Sequence, residues 1–135
     1  MSEEAFILSV FSNIALVPDG GLSWLLARNI GYSKALEFAI EAKKISSQEC
    51  LQLGIANKVC SPENLESETQ KWAQAISMRS PQAVSNTKKI MRDSLEKKFI
   101  QTYEDEANTQ NSILGNDEFK EGVAAFFEKR KPVFK

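Results

Sequence analysis

Ile14-Ala-Leu-Val-Pro-Asp-Gly-Gly-Leu-Ser-Trp-Leu-Leu-Ala-Arg-Asn-Ile-Gly31 decides the reading of this chain. An apolar run stops at Pro18, a single acid follows, Gly20-Gly21 make a turn, and an amphipathic helix begins. Leu22, Leu25, Leu26 and Ile30 recur near helical spacing, and Gly31 stops the pattern. An acid between a buried segment and a helix N-terminus stands where water can be excluded and backbone N–H groups are unpaired. The local pattern leaves two readings of Asp19 open. It is a side-chain cap on the helix, or a carboxylate kept for chemistry.

Upstream, Phe6 to Val17 reads as a buried strand or coil entering the turn. Downstream, Ser33 is placed to cap a second helix through Ala42, whose Ala35, Leu36, Phe38, Ala39 and Ile40 are too apolar to face water. Ser46 or Ser47 caps a short helical turn that ends at Gly54, and Ile55 to Cys60 reads as a short extended segment. From Ser61-Pro62-Glu63 onward the pattern is helix after helix, with proline in the first turn. Leu65, Trp72, Ala75, Ile76 and Met78 form one stripe. Ser80-Pro81 opens a second helix with Val84, Thr87, Ile90 and Met91 inward. A third runs from about Leu95 to Leu114, and Asn116 or Asp117 caps the last, whose Phe119, Val123, Phe126 and Phe127 share an apolar face. Six or so helices and a strand remnant make the fold mainly α.

At 135 residues the chain is one domain's worth of sequence, able to bury a core. A formal charge of −1, with acids and bases interspersed, gives no nucleic-acid footprint. No apolar run approaches the roughly 18–20 residues that span a bilayer, so no membrane partner is expected. Met-Ser-Glu-Glu at the start is acidic, unlike a signal peptide, and the composition suits the cytoplasm. Cys50 and Cys60, with no histidine, argue against a metal site and read as two small buried hydrophobes. The lack of histidine also removes Ser-His-Asp triads. Proton transfer falls to a carboxylate, a tyrosine, a lysine or a bound water.

Three phrases, spanning nearly the whole chain, resemble the crotonase (enoyl-CoA hydratase/isomerase) superfamily. Leu16-Val-Pro-Asp-Gly-Gly21 followed by Trp24-Leu-Leu is similar to its helix-opening P-x-G-G turn, closest to the enoyl-CoA isomerase branch. Ile45-Ser-Ser-Gln-Glu-Cys-Leu-Gln-Leu-Gly-Ile-Ala-Asn-Lys-Val59 resembles "I-S-A-x-x-A-x-x-x-G-L-V-x-x-V". Phe119-Lys-Glu-Gly-Val-Ala-Ala-Phe-Phe-Glu-Lys-Arg-Lys-Pro-Val-Phe134 resembles "E-G-x-x-A-F-x-E-K-R-x-P-x-F". The resemblance implies the C-terminal helical part of a crotonase β-β-α spiral fold, with a short strand remnant at the N-terminus. Residues 1–60 would end the spiral core, and 61–135 would form a helical region used for oligomer contacts. A first half, with the backbone N–H groups of the oxyanion hole, is expected upstream. Without it this piece would not turn over substrate.

What the resemblance implies about chemistry turns on one acid. In hydratases a catalytic glutamate precedes the turn proline by seven residues, and Phe11 stands there. The isomerase branch places its acid directly after the proline, where Asp19 stands; the related aromatic acyl-CoA dehalogenases carry a nucleophilic aspartate at that position. Asp19 is therefore the expected catalytic residue. It would take a proton from one end of a 3-enoyl-CoA and return it at the other, giving the 2-enoyl thioester. The implied substrate-contacting set is Gly20 in the turn, Trp24 and Leu25 one turn beyond, and Lys129. Large side chains at helical spacing usually pack inward, so core is the favoured alternative for Trp24 and Leu25, and a charge completing the helix end for Arg28. Lys129, in the cationic cluster Glu128-Lys-Arg-Lys131, would meet a CoA phosphate; the alternative is a solvated helix end. No tightly bound cofactor is implied, coenzyme A entering as part of the substrate. The implied assembly is a homo-oligomer, trimer or hexamer. Two other functions stay open: 2-enoyl-CoA hydration, and a non-catalytic helical assembly module.

Overall fold

The computed structural model describes residues 1–134. It forms two compact units, Met1–Thr69 and a second from Gln70 onward.

The first unit is held by a small apolar core. Strand β1 (Phe6–Ile7) pairs antiparallel with β2 (Ile45–Ser46), Phe6 opposite Ser46 and Ile7 opposite Ile45. Helices α1 (Leu22–Ile30) and α2 (Tyr32–Glu41) pack on each other around Gly31, whose φ of +80° makes the reversal. Leu22, Leu26 and Ile30 recur every four residues along one face of α1, so that face turns inward. Leu26 meets Ala35 and Phe38 of α2, Ile45 of β2 and Cys50 of α3 (Ser47–Gln52) in one buried cluster. Helix α3 starts in a capping box. The Ser46 hydroxyl oxygen accepts from the Glu49 N–H, and the Ser46 N–H donates to the Glu49 carboxylate at 2.9 Å. The Ser46 hydroxyl also donates to that carboxylate, at 2.7 Å, and this bond first, then the Ser46 N–H, lowers the Glu49 carboxyl below its ordinary range. Ser47, also buried, donates to the Glu3 carbonyl at 2.7 Å and ties the N-terminal segment to α3.

Pro62 opens a 3-10 turn that leads into α4 (Leu65–Ser77), which crosses the boundary between the units. The second unit continues through α5 (Pro81–Asp93), α6 (Phe99–Ile113) and α7 (Asp117–Phe127). Ser80 caps α5, accepting from the Ala83 N–H at 2.9 Å, and Asn116 caps α7, accepting from the Phe119 N–H at 2.8 Å. Helix α5 packs against α6. Among the described residues of this unit only Ala125 is a fully buried hydrophobe.

Several expectations change. The stretch from Phe6 to Val17 is mostly exposed, although Ile7 packs on the core and Ser9 is buried: only Phe6–Ile7 finds a ladder partner, residues 11–14 coil into a 3-10 turn, and Val17 is 79% exposed. A strand needs a partner for its backbone, and this chain offers two residues of it. Ile55 to Cys60 likewise yields one isolated bridge, Ser2 with Cys60. Gly31, not Ser33, stands at the N-cap of α2, and Leu36 and Ile40 face water because the core takes only one side of that helix. Met91 is 67% exposed rather than inward. Helix α6 starts at Phe99, since residues 94–96 close a 3-10 turn and Lys97 is extended. Both cysteines are free; Cys50 is buried, and that burial pushes its thiol up, while Cys60 is half-buried.

Phe38, in the centre of the first core, is the side chain this unit can least lose. Phe38→Ala is expected to cost roughly 3–5 kcal/mol of stability in chemical denaturation, the usual range for a buried phenylalanine.

Candidate functional site

The corner before α1 is built by two glycines in left-handed conformations, Gly20 at φ +60° and Gly21 at φ +85°. An L side chain is strained at such angles, so the turn requires glycine for its backbone and not for space. The turn lets the Leu22 N–H reach the Asp19 carbonyl at 3.0 Å and the Leu25 N–H reach that of Gly21 at 3.0 Å. Gly21 is the N-cap of α1, with no side-chain cap. The capping reading of Asp19 is thereby removed. Its carboxylate is exposed at the start of the helix and makes no hydrogen bond or ion pair among the described residues.

The residues that flank the corner in sequence are largely apolar. Leu16, Val17, Trp24 and Leu25 are all exposed at or near the corner. The Arg28 guanidinium lies over the Trp24 ring, 3.8 Å from its centroid, one turn along the same helix. At an exposed site such a stack is worth about 0.5–1 kcal/mol, enough to restrict the indole. Arg28 thus has a role beyond completing the helix end. Beneath the corner a hollow of about 110 Å³ is lined by Pro18, Leu22, Leu26, Tyr32, Ala35 and Leu36, among others. Asp19 and Gly20 thus lie in the corner, and Trp24 and Leu25 in the first turn of α1, all on the first unit.

Lys129 lies on the second unit, in the turn after α7. That turn is a Schellman motif: the Arg130 N–H donates to the Ala125 carbonyl at 3.0 Å, and the Lys129 N–H to that of Phe126 at 3.3 Å. Lys129 sits at its left-handed position, φ +54°. Next to it Arg130 grips Glu121 with both terminal nitrogens, at 2.5 and 2.9 Å, and its Nε meets Glu128 at 2.5 Å. The Val133 N–H adds a fourth bond, to Glu121, at 2.8 Å. The Arg130 bonds first, then the Val133 N–H, hold the Glu121 carboxyl down at about 2, and the same pairing pushes the Arg130 guanidinium up. Motif reading missed this clasp, although both members stand in the phrase quoted for residues 119–134.

The second unit also holds a hollow of about 330 Å³ between α5, α6, α7 and the terminal segment. Its lining includes Ile113, Phe119, Val123, Phe126, Phe127 and Phe134. On one side the Ser80 hydroxyl donates to the Glu118 carboxylate. Among the described residues no group of three His, Cys, Asp or Glu side chains could hold a metal ion. No helix there is long and apolar enough to cross a membrane.

Comparison with known proteins gives this geometry a context. The family model described as enoyl-CoA hydratase/isomerase matches residues 1–135. The chain is 35% identical to the trans-2-decenoyl-[acyl-carrier-protein] isomerase of Streptococcus mutans, over 98% of this chain and 51% of that protein. It is 34% identical to the peroxisomal Delta(3,5)-Delta(2,4)-dienoyl-CoA isomerase of Arabidopsis thaliana, over 98% of this chain and 48% of that one. Among solved structures, an enoyl-CoA hydratase from Polaromonas sp. JS666 superposes with a TM-score of 0.94 at 30% identity, covering 99% of this chain and 52% of its own. The chain spans about half the length of the curated relatives it matches. The mainly helical, crotonase-type fold implied by the three motifs stands.

The clasp has a pH signature. A carboxyl lowered on folding contributes stability that is complete above its ordinary range near 4.5 and is lost as pH falls through about 2. An NMR titration of the Glu121 side chain is expected to show a midpoint near 2, and Arg130→Gln to return it toward 4.5.

Proposed function

This chain belongs to the enoyl-CoA hydratase/isomerase family, and from that premise we propose that the protein carrying it is an enoyl-CoA isomerase with Asp19 as its acid/base. The Asp19 carboxylate takes a proton from the α carbon of a 3-enoyl thioester. The electron pair left behind delocalises onto the thioester oxygen through the adjacent carbonyl, and through the neighbouring double bond onto the γ carbon. The protonated Asp19 then delivers the same proton to the γ carbon, the electrons return, and a conjugated 2-enoyl thioester leaves. One acid completes the cycle unchanged, so no second proton carrier is needed.

The observation that carries this reading is the unpartnered carboxylate at a glycine corner. A residue serving only the fold there would cap the helix, and Asp19 does not. Trp24 and Leu25, apolar and exposed beside it, suit an acyl chain, with the Gly20 turn giving close backbone approach. Two of the relatives named above are isomerases, which favours a double-bond shift over hydration. Phe11, where a hydratase has its glutamate, cannot carry a proton.

Enolate chemistry also needs donors for the thioester oxygen, each worth about 2.7–4 kcal/mol of barrier in comparable sites. In this reading they come from a preceding spiral half, residues 1–60 close that spiral, and 61–135 form the helical assembly region. Lys129 is the residue that meets a CoA phosphate, its ammonium pairing with no carboxylate among the described residues. Phe99, Phe126 and Phe127, each more than three-quarters exposed, are apolar surface that suits burial between subunits of a homo-oligomer. Two free thiols and a balanced charge fit a cytoplasmic enzyme.

Asp19→Asn, made in the full-length protein, is expected to lower isomerase turnover on 3-enoyl-CoA by about 10²–10⁴-fold, the usual worth of a general acid/base. Retention of most of that activity overturns the assignment. Hydration of 2-enoyl-CoA at a rate above the isomerisation overturns the choice of reaction while leaving the family unchanged.

A further inference from the structure

We propose that Glu121 and Arg130 are positioning residues, whose ion pair fixes the turn at Lys129 and so presents the lysine to a phosphate of the CoA thioester. The proposal rests on the phosphate-binding reading of Lys129 and concerns what holds that side chain in place.

The backbone supplies the first argument. Lys129 occupies the left-handed position of a Schellman turn, where glycine is favoured because a Cβ crowds the neighbouring carbonyl. Among the described residues the other non-glycine positions with positive φ are Ala15 and Ala42, which carry only a methyl group. A long cationic side chain in such a position is a local cost that the fold alone does not explain, and such costs gather at functional sites.

The second argument is the clasp. Arg130 follows the strained residue directly, and its planar fork closes on Glu121, two turns back on α7. The Val133 N–H closes on the same carboxylate from further along the chain. Residues on the C-terminal side of Lys129 are thus tied to the helix that precedes it. Arg130 is consumed by two carboxylates, Glu121 and Glu128, and is not free to bind an anion. The Lys129 ammonium meets neither carboxylate and faces solvent, as does that of Lys131 further along the tail. The arrangement separates the tasks: one cation holds the turn, and its neighbour is displayed by it.

The test uses the full-length enzyme with two substrates, an enoyl-CoA and the matching enoyl-pantetheine, which lacks the nucleotide phosphates. Lys129→Ala, Glu121→Gln and Arg130→Gln are each expected to raise KM for the CoA thioester about tenfold, in line with loss of one charge-assisted bond. Their kcat, and all constants for the pantetheine thioester, stay unchanged. The double variant K129A/R130Q matches K129A alone, and the exchanged pair E121R/R130E restores KM. Should Arg130→Gln fail to fold, Arg130→Lys keeps the charge without the fork and gives an intermediate KM. Additive effects of K129A and R130Q, or equal KM increases for both substrates, overturn the positioning role and leave the clasp as a purely structural contact. An unchanged KM in K129A overturns the phosphate reading of Lys129 itself, and the positioning role with it.

Discussion

Two consecutive left-handed residues, Gly20 and Gly21, are the constraint on which the rest of the first unit depends. Their backbone angles reverse the chain after Pro18 and aim it along α1. Once α1 runs in that direction, Leu26 falls into the cluster with Ala35, Phe38, Ile45 and Cys50. The residue just before the glycines is left at the rim. The same two dihedral pairs therefore place a hydrophobe in the core and a carboxylate outside it. Core and candidate chemistry are coupled through backbone geometry, not through a hydrogen-bond network around the acid.

The elements that the amino acids announce in advance are those with local chemistry at their ends. Gly31 ends α1, Ser46 with Glu49 starts α3, Ser80-Pro81 starts α5 and Asn116 starts α7; each acts within a few residues of itself. Burial was less legible, because it depends on what else is present to pack. Val17 and Met91 have the pattern of inward residues yet lie open here, with no surface of this chain packed over them. The glycine corner and Asp19 were visible as a motif. The Glu121–Arg130 clasp was not, because it joins residues across the end of a helix. That closure needs the reversal at Lys129, and nothing in the residue type of a lysine predicts a positive φ.

The two units carry different parts of the proposed chemistry. The first holds the acid and an apolar rim; the second holds a cation displayed on a strained turn and a hollow lined by phenylalanines. In the proposed reading a thioester enolate also needs oriented N–H donors, supplied by a preceding half. The chain spans about half the length of the curated relatives it matches, and apolar side chains lie open on both units.

The central claim is that one carboxylate both removes and returns the migrating proton. Following deuterium in the full-length protein tests it most directly. A 3-enoyl-CoA labelled at its α carbon, converted in ordinary water, is predicted to give 2-enoyl product with part of the label at the γ carbon. A product whose γ hydrogen comes wholly from solvent contradicts the account.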